Sequence, residues 1–391
     1  MSLPNGWKKK SALDVLTLQG GYAFKSTDAQ SSGVKWLKIA NVGISQIKWE
    51  DESFLPYEFW EEHPNFQLND GDIVVAMTRP LLGLKLKIAR LGKADVPALL
   101  NQRVGRILPS SGVDKDFIYQ TLTTKTVAKQ FDADLLGTDP PNLGVQTFKR
   151  TKILIPPLPE QKAIADLLST WDSAIEKTER LIAAKEKRFQ WLLDELIGQA
   201  KNHKNVTFGS LLKESRIPDD ENDPRKRLSV RLHLKGVEVR DYRGTESEGA
   251  TAYFKRKAGQ FIYGKQNVFK GSVGIVPSEL DGYSSTQDIP AFDISERVCA
   301  EWLLFLFSYP NFYKKLELYA SGSGSKRLHP KELFQMRIPL PPIGRQNEIA
   351  KVIGAAQKEI DILKSLAEKY KEQKRGLMQK LLTGEWRVKV A

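Results

Sequence analysis

Ile155-Pro156-Pro157-Leu158-Pro159-Glu160-Gln161 opens one long helical pattern, and Leu340-Pro341-Pro342-Ile343-Gly344-Arg345-Gln346 opens another. The two glutamines lie 185 residues apart. The same offset sets Trp302-Leu303 on Phe117-Ile118, Thr286-Gln287 on Asn101-Gln102, and Gly322 on Gly137. Solenoid units span ~20–50 residues, so this is a duplicated module and not a short repeat. The module is a globular block followed by a long helix. Proline is tolerated in the first turn of a helix, where its missing N–H costs nothing, so each proline box marks a helix entry.

Behind the first box the helical period starts at Glu160. Ile164, Leu168, Trp171, Ile175, Thr178, Ile182, Lys185, Phe189, Leu192 and Leu196 alternate steps of four and three, a heptad seam interrupted by Thr178 and Lys185. The second helix carries Ile349, Ile353, Ala356, Ile360, Leu363, Ala367, Tyr370, Lys374, Leu377 and Leu381 in the same phases. Gly198 and Thr383-Gly384 end the two patterns. At 1.5 Å per residue each helix of about 40 residues is roughly 60 Å long. Neither apolar stripe can be covered by its own helix. Pairing the two as an antiparallel intramolecular coiled coil covers both, under a pseudo-two-fold axis with one block at each end. Two separate surface helices, or a coiled coil between molecules, are the other solutions.

The blocks, 1–152 and 202–337, read as mixed α/β, with helical spacers at 153–201 and 338–391. Strand-like runs at 34–39, 72–76, 87–90 and 104–108 are separated by turn signals such as Asn69-Asp70-Gly71. Residues 117–130 fit one short helix, and the chain returns as a strand over 149–155. Gly259-Gln260-Phe261-Ile262-Tyr263 takes the place of Gly71-Asp72-Ile73-Val74-Val75, three residues out of register. Trp302-Leu303-Leu304-Phe305-Leu306-Phe307 is a buried helix or strand, with Cys299 a small buried residue beside it.

The net charge of +13 favours a polyanionic partner, most simply nucleic acid. A single cysteine excludes an intrachain disulfide and fits a reducing compartment. No run reaches the ~18 apolar residues of a membrane span, and the start has no secretory apolar core, so a cytoplasmic protein is expected.

Catalytic motifs fail on inspection. Asp139-Pro140-Pro141-Asn142 resembles the Asp-Pro-Pro-aromatic tetrapeptide of adenine methyltransferases, but Asn142 cannot stack a base, and no glycine-rich cofactor loop accompanies it. Gly322-Ser323-Gly324-Ser325-Lys326-Arg327 lacks the spacing of a phosphate cradle and reads as a basic loop able to touch DNA phosphate. Pro218-Asp219-Asp220-Glu221 lacks the strand-borne Glu-x-Lys of a nuclease site. His63, His203, His233 and His329 each lie apart from metal-ligand spacing. No catalytic, metal or cofactor site is expected in this chain.

Base-reading chemistry is present instead. Asn or Gln pairs bidentately with adenine and Arg with guanine at the major-groove edge. Asn101, Gln102 and Arg103 supply these groups in the first block, and Lys265, Gln266, Asn267 and Gln287 in the second. Arg79, Lys85, Lys87, Lys270, Lys326 and Arg327 are candidates for phosphate or base contacts.

At this point the chain resembles the specificity (S) subunits of type I restriction–modification systems. The matching pieces are Leu3-Pro4-Asn5-Gly6-Trp7, Gly21-Tyr22-Ala23-Phe24-Lys25-Ser26, Gly71-Asp72-Ile73-Val74, Asn101-Gln102, the proline–glutamine box and its copy, and Leu377-Met378-Gln379-Lys380-Leu381-Leu382-Thr383-Gly384. The second box departs in carrying Ile343-Gly344-Arg345 where the first has Leu158-Pro159-Glu160. The resemblance implies two target recognition domains, each reading half of a split DNA site, and an antiparallel coiled coil between them. It implies two methyltransferase subunits carrying S-adenosylmethionine, restriction subunits joining that core, and no enzyme activity in this chain. The helices then act as a ruler, with ~60 Å setting an upper limit of about 17 base pairs. A self-contained methyltransferase or nuclease, and a coiled-coil tether for proteins, are the competing classes.

Overall fold

The computed structural model describes residues 3–50, 52–135, 137, 140–198, 203–242, 252–322 and 325–389. The chain divides into two compact units, Met1–Lys177 with Leu366–Ala391, and Thr178–Ser365. Each unit thus holds one block, the start of the helix that follows it, and the end of the other helix.

In the first unit the strands are β1 (Lys8–Ser11), β2 (Leu16–Gly20), β3 (Val34–Leu37), β4 (Phe54–Leu55), β5 (Gln67–Leu68), β6 (Ile73–Ala76), β7 (Leu81–Leu82), β8 (Lys85–Leu86), β9 (Ile88–Arg90), β10 (Ala98–Leu100), β11 (Val104–Pro109) and β12 (Lys152–Ile155). The helices are α1 (Glu58–Glu62), α2 (Lys115–Leu122), α3 (Lys125–Leu135), α4 (Val145–Arg150) and α5 (Leu158–Leu193). An antiparallel sheet runs β2-β11-β6-β9, and a mixed sheet runs β4-β3-β10-β5 with β10 parallel to β3. β6 explains its own sequence. Ile73 and Val75 enter one core with Phe117, Ile118 and Phe148, while Val74 and Ala76 enter another with Leu37, Leu68 and Leu100. A strand covered on both faces reads as an unbroken apolar run, without alternation.

The second unit adds β13 (Asn205–Thr207), β14 (Leu212–Ser215), β15 (Ile217–Pro218), β16 (Leu228–Val230), β17 (Val237–Val239), β18 (Tyr253–Lys255), β19 (Phe261–Tyr263), β20 (Val273–Ile275), β21 (Ser284–Thr286), β22 (Ala291–Ile294) and β23 (Arg337–Pro339). Its helices are α6 (Ala300–Ser308), α7 (Pro310–Tyr313), α8 (Pro330–Gln335) and α9 (Ile343–Leu381). The sheet β14-β22-β19-β20 repeats β2-β11-β6-β9, and β13–β23 repeats β1–β12. β19 again splits its side chains, Phe261 and Tyr263 to one core and Ile262 to another. The turn before it is copied in detail. Asn69 N–H donates to Asp72 Oδ2 at 3.0 Å, and Lys257 N–H donates to Gln260 Oε1 at 2.9 Å. Gly71 and Gly259 both sit at φ +81°, the left-handed region that favours glycine.

Four expectations change. Residues 117–130 form two helices because the hydroxyls of Thr123 and Thr124 bond back to the carbonyls of Gln120 and Thr121 at 2.8 Å each, and Thr124 then caps α3. Lys149 and Arg150 belong to α4, so the closing strand starts at Lys152. The first long helix starts at Leu158, with Pro159 in its first turn. Cys299 is half-buried, not buried, and precedes α6, with its thiol 3.2 Å from Glu301 Oε2. Trp302–Phe307 is helical.

The long helices pair antiparallel within each unit. In the first, Ile164 and Leu168 near the start of α5 share a core with Leu381 and Leu382 at the end of α9. Further along, Trp171 packs edge-on to Tyr370 at 5.7 Å, and Lys374 Nζ meets Asp172 Oδ1 at 2.6 Å. In the second, Leu193 near the end of α5 shares a core with Ile349 and Ile353 near the start of α9, and Lys185 Nζ meets Glu359 Oε1 at 2.6 Å. Ile175, Ile182 and Phe189 of α5, with Ile360, Leu363 and Leu377 of α9, are buried or half-buried like the rest of the seam. No helix among the described residues is long and apolar enough to cross a membrane.

Candidate nucleic-acid interface

Each proline–glutamine box is a lock built on its glutamine. Gln161 Nε2 donates to Pro156 O at 2.9 Å, while its Oε1 accepts from Asp114 N–H at 2.9 Å. Gln346 Nε2 donates to Pro341 O at 2.8 Å, while its Oε1 accepts from Cys299 N–H at 2.9 Å. Both glutamines are fully buried. One side chain thus ties the proline turn to the residue that opens α2 or α6, and that fixes the long helix to its block.

The boxes part at the residue before the glutamine. Glu160 is buried and accepts from Trp7 Nε1 at 3.1 Å and from both Nε and Nη2 of Arg387, at 2.6 and 2.9 Å. The carboxylate in turn holds the Arg387 guanidinium pKa above its ordinary value. Arg345, its counterpart, is exposed and pairs with Glu348 at 3.0 Å.

The candidate reading residues lie on a loop that both blocks build alike. In the first block Val104 N–H donates to Asn101 O at 2.9 Å, and Asn101 Oδ1 accepts from Arg103 N–H at 3.2 Å. In the second, Ile289 N–H donates to Thr286 O at 3.0 Å, and Thr286 Oγ1 accepts from Asp288 N–H at 3.3 Å. Asn101 is buried and spent on this turn, which leaves Gln102 and Arg103 exposed. Gln287 is exposed at the matching place, with Asp288 beside it. Each loop also holds the strand next to it: Met77 N–H donates to Arg103 O and Lys265 N–H to Asp288 O, both at 2.9 Å.

Bracing of the loop differs. In the first block Tyr22 N–H donates to Leu100 O and Gln102 N–H to Tyr22 O, at 2.9 and 2.8 Å. Gly21 permits this contact, since a Cβ there would sit 2.3 Å from Asn101 O. Tyr22 is itself exposed and packs on His63 at 4.3 Å. In the second block a buried arginine does the bracing. Arg256 donates to Ser285 Oγ at 2.7 Å, Ser215 O at 2.9 Å and Ile289 O at 3.1 Å. Burial lowers its pKa to about 10, with Glu214 opposing. Tyr22 and Arg256 were not singled out by the sequence. Arg256 lies between two lysines, Lys255 and Lys257, and only the three bonds distinguish it.

The remaining candidates separate by block. Arg79, Lys85 and Lys87 lie around the β7–β8 hairpin, Arg79 and Lys85 exposed and Lys87 half-buried. Among the described residues none of them, nor Arg103, makes an ion pair. In the second block Lys326 pairs with Glu317 at 3.0 Å and Arg327 with Asp288 at 3.3 Å. The side-chain amide of Gln266 faces Arg327, whose Nη2 can donate to the amide oxygen at 2.9 Å once the amide is turned over. Asn267 precedes the 3-10 turn Val268–Lys270, on which Lys270 is exposed. Lys265 is buried, and burial pulls its ammonium pKa below the ordinary lysine range, against Asp288 and Glu214. It lines an open cavity of about 510 Å³ with Arg216, Glu214, His329, Lys331 and Phe334. Asn142 pairs with Thr78, and Pro141 O accepts from Arg79 N–H at 2.8 Å, which makes 140–142 a structural strap. Asp139, Ser323 and Gly324 lie outside the described residues.

Residues 4–186 match the family model of the type I restriction modification DNA specificity domain. The matched stretch takes in the first block and most of α5. It is 39% identical over 196 residues to the MjaVIII specificity subunit of Methanocaldococcus jannaschii, covering 49% of this chain and 46% of that one. It is 26% identical over 201 residues to the EcoAI specificity subunit of Escherichia coli, covering 51% and 34%. The match therefore spans about half the length of the first of these specificity subunits and a third of the second. The EcoKI specificity subunit of Escherichia coli K12 is 21% identical over 384 residues, 89% of this chain and 82% of that one. In fold, the chain is similar to the S subunit of a type I restriction–modification system from M. genitalium, with a TM-score of 0.63 at 16% identity over 98% of both chains.

Proposed function

We propose that this chain is the non-catalytic DNA-address subunit of a type I restriction–modification complex in the cytoplasm. Each block reads one half of a bipartite target, and the paired helices set the unread spacer. The observation that carries the reading is the duplicated loop, which exposes Gln102-Arg103 on one copy and Gln287 on the other, beside a half-buried Asp288 held by Arg327. Gln pairs well with adenine and Arg with guanine, and only the first loop offers an exposed arginine beside its glutamine, so unlike loops specify unlike half-sites. Double-stranded DNA, two methyltransferase subunits and restriction subunits are the partners. S-adenosylmethionine belongs on the methyltransferases.

The test is co-expression with the cognate methyltransferase, followed by mapping of modified bases. A split, asymmetric adenine-methylated motif is expected, and Gln102→Ala should relax one half of it alone. Methyl transfer by the purified chain by itself would overturn the assignment. So would a complex that shows no sequence preference. Inserting one heptad into both helices should lengthen the spacer and leave the half-sites intact; an unchanged spacer would remove the ruler.

A further inference from the structure

Each block carries a hairpin whose tip exposes two leucines beside cations, and the two hairpins arise from different parts of the sequence. In the first block the tip interrupts the connection from β6 to β9. Leu81 pairs with Leu86 and Leu82 with Lys85. Gly83 takes φ +57° at the turn, and Lys87 N–H closes the base on Pro80 O at 2.7 Å. Leu82 is 66% exposed and Leu84 37%.

In the second block the corresponding connection, from β19 to β20, forms no hairpin and holds the turn Val268–Lys270. The tip of another hairpin, β16–β17, sits on that turn. His233 N–H donates to Lys270 O and Leu234 N–H to Gly271 O, both at 2.9 Å. Leu232 is 37% exposed and Leu234 39%. The same end of the same strand pair is therefore given a leucine-bearing tip twice, by unrelated means. Folding does not call for it, since burying these side chains in a core would stabilise the block more.

Chemistry at both tips points to a polyanion. Arg79 and Lys85 flank the first, and Lys235 and Lys270 the second, and among the described residues none of the four makes an ion pair. The first tip also lies close to the reading loop. Arg103 O holds Met77 N–H, and Leu82 follows Met77 by five residues, a reach of about 17 Å for extended chain. That is roughly five base steps, within one half-site.

We propose that Leu82 with Leu84, and Leu232 with Leu234, are apolar wedges that enter a groove of the bound duplex and part a base step in each half-site. Apolar side chains inserted between base steps unstack them, and the unstacking is offset by added contact elsewhere. The idea rests on the DNA-address reading, and the experiment separates the two.

The full complex with its methyltransferase is titrated onto target duplexes in which 2-aminopurine replaces an adenine at successive positions. With the native chain, fluorescence should rise at one step in each half-site. L82S/L84S should abolish the rise in the first half-site alone and weaken binding about ten-fold; L232S/L234S should do the same in the second. The tips are exposed, so unchanged thermal unfolding is expected and confirms that the variants fold. A fluorescence rise that survives the substitutions overturns the wedge, as does binding that R103A weakens but L82S/L84S does not. Loss of the methyltransferase from the L82S/L84S complex also overturns it, by assigning the tips to a protein partner. A native complex that binds no duplex would instead refute the DNA-address reading.

Discussion

The two reading loops have one backbone and two braces. At 101–104 the loop is held by main-chain bonds to Tyr22, which Gly21 makes room for. At 286–289 it is held by the side chain of one buried arginine. Main-chain bracing leaves the sequence of the loop free to change. Side-chain bracing concentrates the same task on Arg256, and a single substitution can undo it. The cations differ in parallel: those around the first loop are unpaired among the described residues, while Lys326 and Arg327 of the second are held by Glu317 and Asp288.

The largest effect should come where the blocks agree. Gln161→Leu and Gln346→Leu each strand a part-buried N–H and a buried carbonyl, and Gln346→Leu frees Arg297 O as well. At roughly 1–3 kcal/mol for each unsatisfied group, a loss of about 2–6 kcal/mol is expected from either. Urea unfolding read by hydrogen exchange in each unit would check it, and a neutral Gln346→Leu would break the equivalence of the boxes. Next is Arg256→Met: Ser285 Oγ still donates to Ile289 O at 2.7 Å, so chiefly Ser215 O loses its donor, at a cost of about 1–3 kcal/mol. Methylation mapping should then show the second half-site relaxed and the first intact. Relaxation of both halves would mean that the braces are not local.

The boxes themselves are sharpened by Glu160→Gln against Arg345→Ala. The glutamine keeps an acceptor for Trp7 but loses the charge-assisted fork to Arg387, a loss of about 1 kcal/mol after allowing for the half-exposed arginine. Removing the exposed Arg345–Glu348 pair should cost no more than about 0.5 kcal/mol. Thermal unfolding of the two variants side by side gives the ranking. The smallest effect concerns acid. Arg150 holds the Asp134 carboxyl below its usual range, and Lys255 does the same for Glu221. Each pair adds stability above the ordinary carboxylate pKa and loses it as pH falls through the lowered value. Both pairs reach solvent, through Arg150 and through Glu221, so Asp134→Asn and Glu221→Gln should flatten the acid limb of the pH–stability curve only slightly.

Periodic and local features were legible in the sequence. The seam from Ile164 to Phe189 and from Ile349 to Leu377 needs only its spacing, and the proline boxes need only proline's missing donor. The register slip at Gly259 was visible because glycine at φ +81° leaves a trace in sequence. Contacts made across the chain left none. Gln161 looks like a helix-start residue until Asp114 N–H, 47 residues away, is found on its carbonyl oxygen. Asn101 has the right chemistry for adenine, yet its side chain completes a turn. Leu81-Leu82-Gly83-Leu84 drew no reading from the sequence, and only its exposure in the structure makes it a tip.

One feature reaches beyond stability. A block joined to its helix by a covalent junction alone would swivel about that junction. Here the glutamine clamps the first turn of the helix at two points, and proline stiffens the hinge between them. Any torque applied along a helix, by whatever protein grips it, must turn the attached block as a rigid handle turns its blade.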